Sequence, residues 1–141
     1  MTIEEKIEEA LYVHVAALAA LDGMPSIAWP NDAFPVPPET KPGTYIELRL
    51  MPNDNTRLFL NGGAPHMRQG ILQLTVFTPL LVGSAPATAL AGEIAEFFPA
   101  DLDLFNDGVR VRIQQAPDVL PGDKDDVSWM VPISIRYEAF A

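Results

Sequence analysis

A chain of 141 residues, 48% apolar and 20% charged, has the balance of one globular domain over residues 1–141, able to bury roughly 68–70% of its unfolded surface. Nine Lys and Arg against 19 Asp and Glu leave a net charge of −10, with no basic run longer than Arg110-Val-Arg112; the basic patch that nucleic-acid affinity requires is excluded. Zero cysteines exclude a disulfide framework, and the longest aliphatic run, residues 15–21, falls short of the roughly 18 residues of a membrane-spanning helix.

The start of the chain is acidic, with Glu4, Glu5, Glu8 and Glu9 where a secretory signal needs basic residues. The expectation is a soluble chain that is not exported. Thr2 followed three residues on by Glu5 has the form of a capping box. Ile3, Ile7, Leu11, His14, Leu18 and Leu21 then recur at helical spacing, and Asp22, Gly23 and Pro25 close that first helix. Residues 26–29 suit a short strand stopped by Pro30. From about 30 to 43, five prolines (Pro30, Pro35, Pro37, Pro38 and Pro42) predict an extended arm of polyproline character.

Residues 44–51 alternate, with Ile46, Leu48 and Leu50 on one face and Tyr45, Glu47, Arg49 and Met51 on the other. A turn at 52–55 leads to a short strand at 57–61, and a second turn at 62–65 leads toward a strand at 71–77 that Pro79 ends. Ser84 is placed to cap a second helix with Pro86 in its first turn. Leu90, Ile94, Phe97 and Phe98 supply the apolar face of that helix, and Pro99 closes it. Residues 101–108 read as the turn out of this helix, 109–113 as a strand and 117–127 as an acidic loop. In the last strand Val131, Ile133, Ile135 and Tyr137 face inward. Pro132 lacks a ladder donor, so the strand should lie at a sheet edge or begin near Pro132. The order predicts an α+β fold, a mainly antiparallel or mixed sheet with two helices packed on it.

Chemical motifs fail on inspection. His14 lies on the apolar stripe, where a satisfied structural histidine is expected, and His66 sits in a Gly/Pro turn; neither has a second ligand at metal-site spacing. The stretch from Asp101 imitates a calcium loop, but its fifth, sixth and twelfth positions are Phe105, Asn106 and Arg112. Asp118, Asp123, Asp125 and Asp126 suit a solvated loop better than a cation site. Ser84 lacks the flanking glycines of a nucleophile elbow. No catalytic residue, cofactor-binding residue or metal ligand is assigned. What remains is a set of large side chains suited to protein contacts: Trp29, Phe34, Arg49, Arg57, Arg68 and Trp129. Trp29 and Trp129 read equally well as core residues.

Four segments together carry a resemblance: Ile27 to Asn31 leading into the proline-rich arm and Tyr45 to Arg49; Arg68 to Phe77 followed by Pro79; Ala91 to Pro99; and Trp129 to Tyr137. In this order and length the chain resembles the phage tail terminator-like family of long-tailed phages and prophages. The resemblance implies a hexameric ring that caps the tail tube, stops its polymerisation and offers a surface for head joining. It also implies further copies of the chain, a tail tube protein and a head–tail connector protein as partners, no cofactor, and a place in the virion tail after assembly in the host cytoplasm. The competing readings are another neck or head-completion protein and, in a different class, a small metal-dependent hydrolase. A deletion of residues 32 to 41 is expected to spare the fold and weaken assembly.

Overall fold

The computed structural model describes residues 2–31, 44–58, 60, 62–63, 65–124 and 128–141. Most of the expected arm, with Phe34, and Asp125 and Asp126 of the acidic loop lie outside the described residues. Two helices, α1 (Ile3–Ala19) and α2 (Ala85–Glu96), accompany nine strands among the described residues: β1 (Ile27–Ala28), β2 (Tyr45–Pro52), β3 (Thr56–Arg57), β4 (His66–Pro79), β5 (Asp103–Asn106), β6 (Val109–Ile113), β7 (Asp118–Val119), β8 (Asp123–Lys124) and β9 (Ser128–Phe140).

The first helix begins as its sequence dictates. Thr2 Oγ1 accepts from the Glu5 N–H at 3.2 Å, and Glu5 Oε1 accepts from the Thr2 N–H at 3.4 Å. Glu4 and Glu5 stand in the first turn, near the positive end of the helix dipole. Ile7, Ala10, Leu11, Val15 and Leu18 are its buried side. Leu21, expected on that stripe, lies past the helix end and is exposed.

One sheet runs in the order β1-β2-β4-β9-β6-β5, with β3 on β4 and both β7 and β8 on β9. Among the described residues only β1 with β2 is parallel; the other pairings are antiparallel, so the sheet is mixed. Its spine is the long β4–β9 ladder, from Met67↔Phe140 to Pro79↔Ser128. The register stacks apolar residues in rows across neighbouring strands: Ile46, Val76 and Val131, then Leu48, Leu74 and Ile133, then Leu72 and Ile135. Both helices pack on this one face, because their buried residues join the same cluster as these rows. Alternation along each strand therefore leaves the other face outside that cluster.

Six expectations need correction. The second long strand starts at His66 rather than 71, because Met67 to Gly70 continue the ladder with β9 despite their polar and glycine content. The stretch after α2 is not a plain turn: β5 pairs with β6 around a two-residue Asp107-Gly108 connection whose φ values, 47° and 83°, are both positive, the geometry of a type I′ hairpin. The last strand is central rather than an edge, and it begins at Ser128. Pro132 is tolerated because its missing N–H faces the gap between β7 and β8. There its carbonyl accepts from the Leu120 N–H at 2.9 Å, and the reciprocal bond is the one that proline forgoes. Ser84 does precede α2, with Pro86 in the first turn, but its hydroxyl makes no capping hydrogen bond. Among the described residues the short strand expected at 57–61 is Thr56–Arg57, and the acidic loop contributes β7 and β8 to the sheet.

Candidate interaction surface

On the face that the helices leave open stand Glu47, Arg49 and Met51 of β2, Gln69, Ile71 and Gln73 of β4, Arg136 and Glu138 of β9, Arg112 of β6, and Asp103 and Phe105 of β5. None of them belongs to the core cluster. At one end Tyr45 and Phe77 stack, ring centroids 4.6 Å apart and 7° from parallel. Toward the other end Asp103 Oδ1 accepts from Arg112 Nε at 3.0 Å, with Arg110 Nε at 3.9 Å. The Arg112 hydrogen bond holds the Asp103 carboxyl below the ordinary range. Gln114 Nε2 donates to Glu138 Oε2 at 3.2 Å. A shallow hollow of about 270 Å³ lies among Met51, Gln69, Ile71, Gln114 and Arg136. Acidic and basic side chains both stand on this face, which gathers no single sign.

The six contact candidates do not come together. Trp29 follows β1, half-buried, its ring 5.3 Å from that of Tyr12. Beside them is a hollow of about 500 Å³ lined by Val13 and Ala16 and rimmed by Glu5, Glu8 and Glu9. Arg49 is exposed on the open face. Arg57 is exposed in β3, where Nη2 donates to the Leu60 carbonyl. Arg68 is used inside the molecule: Nη1 meets Glu4 Oε1 at 2.6 Å and Nε donates to the Ala141 carbonyl at 3.2 Å, tying α1 to the far end of β9. Trp129 packs against the core and over Gly122, whose added Cβ would stand 2.4 Å from the indole. Phe34 lies outside the described residues. Thus Trp29 and Arg49 share the β1–β2 side, Arg57 and Arg68 one end of the spine, and Trp129 the other.

His14 is the structural histidine expected from its place on α1. Its Nε2 donates to the Phe97 carbonyl at 2.7 Å, and its ring stacks on Phe97 with centroids 4.4 Å apart. Among the described residues no group of three His, Asp or Glu is placed to hold a metal ion, and no helix is long and apolar enough to cross a membrane.

Sequence reasoning missed several exposed apolar residues. Leu81 projects fully into solvent from a left-handed backbone, φ 65°, in the β4–α2 connection, with Val82 half-exposed beside it. Phe105 is 73% exposed on β5, and Leu60 and Phe140 are exposed at the opposite end of the spine from Leu81. The Asp107-Gly108 pair was the available signal for Phe105, since it predicts a hairpin and so places Phe105 on an outer strand. Leu81 had no comparable marker.

Among the described residues, helices close one side of the sheet and apolar side chains are presented at its rim and both ends, a surface suited to contacts with other proteins. The profile of the phage tail terminator protein family matches residues 6–137, and the chain belongs to that family. It is a family of structural proteins of the phage tail, not of enzymes. No curated protein sequence matches the chain. Among solved structures, one that carries no functional name is 25% identical with a TM-score of 0.78, the match covering 99% of this chain and 96% of that one. The virion of a native gene transfer agent particle contains a chain 21% identical with a TM-score of 0.57, over 99% of this chain and 96% of that one; this second likeness is one of fold.

Proposed function

We propose that the chain caps the tail tube as an oligomeric ring, ends tube polymerisation and presents a second surface for head joining. The observation that carries this reading is the family match across residues 6–137, which takes in nearly every strand of the sheet and both helices almost entirely. The related fold in a gene transfer agent virion supports it, because that particle too is a virion built of protein subunits. The distribution of exposed apolar residues supports it as well. Leu81 and Val82 lie beyond one end of the β4–β9 ladder, and Leu60 and Phe140 near the other. A ladder of this length spans about 40 Å at roughly 3.3 Å per residue, so the two groups are separate docking ends, one for the tube and one for the head side. The single apolar cluster uniting both helices with the sheet supports reading the chain as one domain.

The test is a tube-growth reaction. Purified tail tube subunit is allowed to polymerise with and without this chain, and tube lengths are measured by electron microscopy. Short tubes with added density at one end are expected at a small molar fraction of the chain. Tubes that grow to the same length in its presence would refute the capping role, and binding to filled heads alone would favour a head-completion protein.

A further inference from the structure

The outer side of β5 is an open sheet edge. Among the described residues β6 alone pairs with it, and the Ile113 N–H donates to the Leu102 carbonyl at 2.9 Å. Even-numbered residues here therefore turn their main-chain groups toward β6, while Asp103 and Phe105 turn theirs outward. Residues 32–43 connect Asn31 to Thr44 at the opposite, β1–β2 edge. From β1 out to β5 and back to β2 is nine strand spacings, roughly 43 Å. That is about the whole reach of the fully extended segment, so no length is left to run along β5. Residues 125–127 join Lys124 to Ser128 at one end of β9, and β6 pairs with the other end.

Edges are commonly closed to other chains by lysine, proline or a bulge. β5 has none of these; it reads Asp103, Leu104, Phe105, Asn106 in unbroken register with β6. Its one charge is held inside the molecule, by Arg112 at 3.0 Å and Arg110 at 3.9 Å. Phe105 is 73% exposed on the open face, and Leu104, on the core face, is only partly buried. A second copy of the same strand fits this edge. An antiparallel register centred on Asp103 sets that carboxylate opposite itself, and one centred on Phe105 sets Asp103 opposite Asp107; both oppose like charges. Centred on Leu104, Asp103 of each copy faces Phe105 of the other. This register makes about four main-chain hydrogen bonds and opposes no like charges. Each row across the pair then reads Arg110, Phe105, Asp103, Arg112, the first two from one copy and the last two from the other. Every ring stands between a guanidinium and a carboxylate, a favourable cation–π setting, and the two Leu104 side chains meet on the core face.

We infer that two copies of the free chain pair through their β5 edges, antiparallel about Leu104, with Phe105 as the anchor. The same surface is used by both copies, so the contact closes at two and does not continue round a ring. It concerns the chain before assembly and stands apart from the capping reading.

The absence of native cysteine lets Leu104→Cys report the contact directly. Opposite residues whose main-chain groups turn away from each other have Cα atoms about 4.5 Å apart, and a disulfide spans Cα atoms about 4.4–6.8 Å apart. Under mild oxidation at physiological salt and high protein concentration, Leu104→Cys should form a disulfide dimer. Glu93→Cys, exposed on α2, should stay monomeric under the same conditions. Leu104 packs partly on the core, so Phe105→Lys, at an exposed position, gives a second reading. Sedimentation equilibrium should show the parent chain pairing as its concentration rises at physiological salt. Phe105→Lys should weaken that pairing about tenfold or more while melting with the parent. A parent chain that stays monomeric at every concentration would overturn the inference. So would pairing of Phe105→Lys as strong as the parent's, or cross-linking of Leu104→Cys no faster than that of Glu93→Cys.

Discussion

Where β4 meets β9, Gly70 faces Tyr137, and the tyrosine ring occupies the space that a side chain on β4 would need. A Cβ added to Gly70 would stand 2.5 Å from Tyr137 Oη and 2.7 Å from the Met51 carbonyl. The glycine thus lets an aromatic ring lie flat within the ladder, and the same packing sets the acidity of that ring. Burial pushes the Tyr137 hydroxyl up from 10.0 to about 12, and burial together with Glu8 does the same for Tyr12. The unfolded chain loses these protons near pH 10 while the folded chain keeps them, so the contribution to stability is complete below pH 10 and is lost as pH rises toward 12. For Tyr137, 3% exposed, a gap of this size corresponds to about 2–3 kcal/mol. Urea midpoints measured from pH 8 to 12 should fall across the upper half of that range. Tyr137→Phe should flatten part of the fall, and an equally steep decline in that variant would show that Tyr137 is not its source.

Among the elements, the β5–β6 hairpin is tied closely to α1. Its turn needs two positive φ values, which Asp107 tolerates and Gly108 adopts without a Cβ penalty. Two contacts anchor it to α1: Asn106 Nδ2 donates to the Lys6 carbonyl at 3.0 Å, and Lys6 Nζ lies 3.3 Å from Asp107. Gly108→Val should cost about 1–2 kcal/mol through the left-handed backbone alone. Calorimetry should show a lowered melting temperature, and an unchanged one would mean that the turn relaxes freely. This hairpin also marks the limit of what the sequence reveals. Strands with alternating aliphatics, β2, β6 and the middle of β4, were legible because period-two patterning reports a half-buried sheet. β5 was not, because Asp103, Leu104, Phe105 and Asn106 alternate without β-branched residues and follow a helix end. Pro132 misled for a related reason: its lost donor argues for an edge only if the partner strand is continuous, and here the partner is split into β7 and β8. The contact candidates suffered most, since exposure is tertiary. Nothing local to Arg68 announces that Glu4, sixty-four residues away in sequence, will bind it.

For the whole molecule, electrostatics and contact geometry pull in opposite directions. Each chain carries −10, so the proposed ring, with six copies at −10 each, would hold a formal −60. Much of this charge is dispersed on exposed side chains such as Glu4, Glu5, Glu8 and Glu9 along α1. Exposed charges of this kind repel over about one Debye length, ~8 Å at physiological ionic strength and longer in dilute buffer. A stable interface requires about 800 Å² from each side. The isolated chain should therefore be monomeric at low salt and dilution, with larger species appearing as salt rises or as a tail tube end supplies added contacts. Sedimentation velocity across a salt series reads this directly. Larger species at low salt than at high salt would show that attraction between opposite charges, and not relief of repulsion, governs assembly.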